Sequence, residues 1–163
     1  MYVHAELMPD DSRVWVYQSN REFTRDEEQK ISIITRDFLN TWTAHNQELK
    51  ASFELRYHIF IILMIDGTHA LASGCSIDKS VHFIQKIEQE FSVSLLDRQI
   101  FALKENDRIS LIKRSEFEKQ IEKEISREAI VFNNLIQTKR ELKSKWEIPI
   151  KDSWHGGINA VRN

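Results

Sequence analysis

The chain has 163 residues, 41% of them hydrophobic and 29% charged, with a formal charge of −2. That length and balance suit one globular domain with an ordinary core and exclude a disordered chain. The near-neutral total lacks the basic excess with which a protein neutralises several phosphates, which argues against nucleic acid as a partner.

In chain order, Arg13 to Gln18 (RVWVYQ) is short, β-branched and aromatic, and predicts the first strand. Ser19-Asn20-Arg21 turns the chain. Thr24 and Glu27 have the spacing of a capping box, and Ile31, Ile34, Phe38 and Trp42 mark one face of a helix reaching about His45. Ala51 to Arg56 alternates as a half-exposed strand does, while Ile59 to Asp66 is apolar on both faces as a central strand is. Tyr57-His58 between them fits either a tight hairpin or one long bent strand.

After a loop from Gly67 to Gly74, the spacing of Ile77, Val81, Ile84, Ile87 and Phe91 predicts a second amphipathic helix. Gln99 to Leu103 and Arg108 to Lys113 bracket the polar turn Lys104-Glu105-Asn106-Asp107 and read as a hairpin. Ser115 with Glu118 and Thr138 with Glu141 have capping-box spacing, opening a third helix and a short fourth that ends near Trp146. Ala129 to Phe132 is a weak strand. Pro149 ends regular structure, so Trp146 to His155 reads as an extended tail whose two tryptophans pack on the domain, with 156–163 disordered.

The resulting class is α+β, an antiparallel or mixed sheet with helices, in a single domain over 1–163. The first six elements have the βαββαβ order of a ferredoxin-like core, with a further hairpin strand and helices appended.

Cys75 is the sole cysteine, so no intrachain disulfide forms and a reduced, cytoplasmic setting is expected. Met1 to Asp10 has no basic start leading into an apolar run, unlike a signal peptide. The longest apolar run, Ile59 to Ile65, falls far short of the roughly 20 residues that span a membrane, so a soluble protein is expected. No phosphate-loop or dinucleotide-binding glycine pattern occurs, and one cysteine allows neither a redox pair nor a multi-cysteine zinc site. Val81, six positions after Cys75, removes the phosphate loop of cysteine phosphatases. The histidines at 4, 45, 58, 69, 82 and 155 form no close pair. No cofactor or metal follows from these residues.

One stretch invites chemistry. Ser73, Gly74, Cys75, Ser76 and Asp78 lie where a strand passes into a helix, and helix N-termini present unpaired amides to anions. Gly74 would admit a ligand closely, the serines add hydroxyls, and the same amides favour a Cys75 thiolate. The plainer reading makes Ser76 or Asp78 the helix cap and Cys75 a small buried hydrophobe. Asp66-Gly67 stands where some metal-dependent nucleases place an acid, but an exposed turn explains it as well. Arg98 could reach a ligand anion, but reads more simply as a surface partner of Asp97 or a solvated strand edge; Asn133-Asn134 could offer amides to a ligand, but read more simply as turn residues and helix caps. Trp154-His155 could close a pocket or face a partner, but reads more simply as a tail anchor.

Ala72-Ser73-Gly74-Cys75-Ser76-Ile77-Asp78-Lys79-Ser80-Val81, with Val131-Phe132-Asn133-Asn134-Leu135, Trp146-Glu147-Ile148-Pro149 and Asp152-Ser153-Trp154-His155, resembles an uncharacterised family of small single-domain Bacteroidetes proteins. The resemblance runs from about Trp15 to His155. Members often carry the label "ABC transporter ATPase", which the missing phosphate loop contradicts. It implies no activity and no site residues.

Three functional readings follow. The first is a non-catalytic module binding a small anion at 73–78. The second is a protein-interaction module, a homodimer included. The third is an enzyme acting through Cys75 or through a metal at Asp66, though not an ATPase.

Overall fold

The computed structural model describes residues 1–68, 70–121 and 123–158. Strand β1 (Arg13–Gln18) leads to helix α1 (Arg25–Thr41), a minute hairpin β2 (Thr43–Ala44) and β3 (Gln47–Glu48), then β4 (Ala51–Arg56) and β5 (Phe60–Ile65). Helix α2 (Gly74–Phe91), hairpin β6 (Ile100–Glu105) and β7 (Arg108–Lys113), and α3 (Arg114–Gln120) follow. The chain ends through β8 (Ile130–Phe132), α4 (Lys139–Ser144), β9 (Glu147–Pro149) and two 3-10 turns, Ile150–Asp152 and Trp154–Gly157. The α+β class holds. No helix among the described residues is long and apolar enough to cross a membrane.

The βαββαβ order does not close into one sheet. Strands β1-β5-β4 form an antiparallel sheet in the order expected of a ferredoxin-like core, but β6 leaves the place beside β1 empty. It joins a second antiparallel sheet instead, ordered β7-β6-β8-β9. The apolar residues explain the division. Ile61 and Leu63 of β5 pack under α1 and α2, while Phe60, Ile62 and Met64 on its other face meet Ala102, Phe132 and Trp146 of the second sheet. The far face of that sheet, through Phe101, Leu103 and Val131, is covered by Phe117 of α3 and by Ile150. Helices, sheet, sheet and helix thus stack in four layers, which is why β5 is apolar on both faces.

Several local expectations change. α1 stops at Thr41, where Trp42 takes extended backbone and its indole donates to the Ser76 carbonyl at 2.8 Å, and His45 and Asn46 take left-handed backbone that folds the β2–β3 hairpin. Tyr57-His58 is a tight hairpin turn, both residues with positive φ. Asn106 and Asp107 turn β6 into β7 in the same way, so the turn has two residues where four were expected. The capping boxes at Thr24 and Thr138 form as their spacing implies. The one at Ser115 does not: α3 starts at Arg114 directly from β7, and Glu118 pairs with Arg114 at 2.9 Å instead of reaching back. Nor is the tail merely extended. β9 pairs with β8, and Gly156 and Gly157 complete a 3-10 turn where order was expected to end; 159–163 lie outside the described residues. A Cβ on Gly156 would stand 2.6 Å from the Ile150 carbonyl oxygen, so this turn requires glycine.

Candidate functional site

The start of α2 is a cap with little left over. Ser73, not Ser76 or Asp78, is the N-cap: its Oγ accepts the Ser76 amide at 3.2 Å, while the Ser76 Oγ accepts the Ser73 amide and donates to the Ser73 carbonyl, both at 2.8 Å. Both hydroxyls are therefore engaged, and Ser76 is fully buried. Gly74 has no positive φ, and a Cβ there would meet open space, so neither a turn nor a close approach demands glycine. Cys75 is exposed, contrary to the reading as a buried hydrophobe, and Asp78 is exposed beside it.

Asp66 is a structural carboxylate. Its Oδ1 accepts the Thr68 amide at 3.0 Å and the Thr68 hydroxyl at 2.6 Å, and its Oδ2 accepts Lys50 Nζ at 2.9 Å. Burial pushes its pKa up, but the Thr68 and Lys50 bonds outweigh that and hold it below the usual range. Both oxygens face protein donors.

A cleft of about 680 Å3 opens instead where the two sheets part, in the place beside β1 that β6 does not take. Its floor is β1, and Ile77 and Val81 of α2 border it with apolar side chains. One wall is the segment from Leu95 to Phe101, and the other runs from Asn134 to Gln137. Trp154 and His155 line it as well. The cleft size is that of a small-molecule site, and the lining mixes apolar surface with a few polar groups in the usual way.

The charges around it are unequal. Arg13, Arg98 and Arg114 line the cleft against the single carboxylate Asp97, which is occupied in accepting the Gln99 amide at 2.8 Å. Arg13 lies over the Trp15 ring at 5.5 Å and donates to Gln137 Oε1 at 2.6 Å; Arg114 is paired with Glu118. Arg98 is exposed just before β6 and makes no ion pair among the described residues, so it is not the expected partner of Asp97 but a solvated side chain on the cleft lining. It acts on the Tyr17 phenol, which burial pushes up while Ser80 and Arg98 pull it down.

The polar residues expected in turns prove to hold the cleft's frame. Gln18 Nε2 donates to the Ile100 carbonyl at 3.0 Å, Asn134 Nδ2 donates to Gln18 Oε1 at 2.9 Å, and the Trp146 indole donates to Asn134 Oδ1 at 3.0 Å. This chain of bonds ties β1 to the second sheet. Asn133 Oδ1 receives the Trp154 indole at 3.1 Å. Trp154 is 41% exposed and stacks on the buried His155 with 3.8 Å between ring centroids, so of the two tryptophans expected to be packed, Trp146 is enclosed and Trp154 only half so. Desolvation lowers the His155 pKa to about 4, leaving a neutral imidazole whose Nδ1 lies 2.6 Å from Ser153 Oγ.

Only Ile77 and Val81 carry α2 into the cleft. Ser73, Gly74, Cys75, Ser76 and Asp78 are not among its lining residues, whereas Arg98, Asn134, Trp154 and His155 are. Sequence reasoning missed Arg13, Gln18 and Arg114 as site residues, because nothing in their spacing tells which strand edge will stay open. No family model, curated protein or solved structure matches the chain.

Proposed function

We propose that this protein is a non-catalytic binding module, and that its ligand has an apolar body and an anionic group and sits in the cleft between the sheets. The observation that carries this reading is Arg98, exposed on the lining of an otherwise largely apolar cleft and in no ion pair among the described residues. An apolar group leaving water would supply most of the affinity, and an arginine with its hydrogen-bond fork open, such as Arg98, would select the anion. The anion is assigned to the cleft and not to the start of α2, whose hydroxyls are spent on the cap. The family resemblance brings no activity with it, so the proposal stands on the cleft.

Thermal unfolding with a panel of aryl and alkyl carboxylates and phosphates tests it. A ligand at about a hundred times its Kd should raise Tm by about 5–10 °C for a chain of this size. Arg98→Gln should remove that gain, and Ser76→Ala/Asp78→Ala should keep it. A gain lost in the double variant and kept in Arg98→Gln would move the site to the start of α2. No gain with any member of the panel would overturn the reading.

A further inference from the structure

β1 is an edge strand, and its hydrogen-bonding groups show which edge is open. Ser19 donates to the Ile59 carbonyl at 2.7 Å, so by alternation Tyr17 and Trp15 turn their backbone groups toward β5, while Val14, Val16 and Gln18 turn theirs away. On that outer side a second ladder begins about the Arg13–Thr138 bridge: Lys139 donates to the Ser12 carbonyl at 3.0 Å, and Val14 donates to the Gln137 carbonyl at 2.9 Å. There it stops. The Gln137 amide turns to Glu141 Oε2 at 2.8 Å instead of returning to Val14. The Val14 carbonyl, both backbone groups of Val16 and the Gln18 amide are left without a protein partner among the described residues; all three residues line the cleft, Val16 half-buried and Val14 and Gln18 buried at its floor.

We infer that this edge takes a short extended peptide as an added antiparallel strand, with a carboxylate of the peptide held by Arg98. The inference rests on the cleft reading above and names its ligand. The unpartnered groups run donor, acceptor, donor from Val16 to Gln18 with the Val14 carbonyl before them, which is the sequence a peptide backbone complements and a simple small anion does not. From Val14 to Gln18 they span about 13 Å, the length of four to five extended residues. Arg98, exposed and in no ion pair among the described residues, makes an acidic peptide the complementary one. The edge lies in a cleft between two walls, which keeps it from pairing with the sheets of other molecules.

The test uses the full chain labelled with 15N and a pool of pentapeptides randomised at every position, each with a free C-terminal carboxylate. Two further pools carry N-methyl groups on the odd or on the even amides, and an aryl carboxylate serves as the small anion. The pool should shift the Val16 and Gln18 amide resonances. One methylated pool should bind about as well as the parent, and the other should be weakened about tenfold or more, because only alternate amides face β1. Arg98→Gln should weaken the parent pool. Equal tolerance of both methylated pools, or an aryl carboxylate that binds through Arg98 while peptides leave Val16 and Gln18 unmoved, overturns the peptide inference and leaves the cleft reading standing. If neither peptides nor the aryl carboxylate perturb the cleft, both readings fall.

Discussion

His155 shows at the scale of one residue how burial writes a pH dependence. Its ring lies edge-on to Phe101 at 4.7 Å and Phe117 at 6.1 Å between ring centroids, and desolvation holds its pKa at about 4. In the unfolded chain the imidazole takes a proton near pH 6.5, well before the folded one does. The unfolded state therefore binds more protons between these values. The neutral ring's contribution is whole above about pH 6.5 and drains away as pH falls to about 4, amounting to roughly 3 kcal/mol. Urea unfolding from pH 7 to pH 4 should show this slope in the native protein, and His155→Gln should flatten it. An unchanged slope in the variant would place its origin elsewhere. The carboxylates act in a lower window: Glu27, held at about 2 by Arg21 and by the Thr24 amide, loses its contribution only as pH falls below about 4.5.

Among the elements, α2 depends on its N-cap residue. Ser73→Ala removes the oxygen that accepts the Ser76 amide and opens the reciprocal pair that closes the helix start. Loss of such a cap costs about 1 kcal/mol, whereas Asp78→Ala, on an exposed position without a bond to the cap, should stay within about 0.5 kcal/mol. Urea midpoints of the two variants check this, and equal midpoints would deny Ser73 its capping role. The far end of α2 is held by another device. Arg21 grips both oxygens of Glu27 at 2.8–2.9 Å and also donates to the Phe91 carbonyl at 2.6 Å, so one guanidinium joins the start of α1 to the end of α2.

The molecule as a whole is held by what passes between its two sheets. Tyr57, in a left-handed turn that would ordinarily favour asparagine or glycine, donates to the Glu147 carboxylate and receives Lys104 Nζ at 3.2 Å. Its ring packs on Phe132 and Trp146, so contacts from the second sheet hold this turn of the first. Trp146 is wholly buried there and its indole completes the Gln18–Asn134 chain of bonds. Truncation after Lys145 would remove this indole, β9, Ile150 and His155 together. Loss of a buried tryptophan alone costs about 3–5 kcal/mol, a large part of a domain's stability, so this truncation should abolish the cooperative urea transition or shift its midpoint far down. A midpoint equal to that of the full chain would show that the C-terminal segment is not part of the fold.

Sequence alone determined the α+β class, the four main helices and most strands, because each rests on local signals: the spacing of Ile31, Ile34 and Phe38, the Thr24–Glu27 and Thr138–Glu141 caps, the unbroken apolar run of β5. It also singled out the stretch at the start of α2, and there the local signal was that of a helix cap. Strand partnership was not legible. The expected ferredoxin-like order needed β6 beside β1, but Phe101, Leu103 and Ala102 are apolar on both faces of β6 and are satisfied only between β5 and α3. That choice depends on side chains more than thirty residues apart in the chain, which no periodicity records. By sending β6 to the second sheet, the tertiary structure left the outer edge of β1 open and drew Arg13, Arg98 and Arg114 around one cleft. The residues were all visible in the sequence; their convergence was decided by how two sheets and the helices over them share a limited supply of apolar surface.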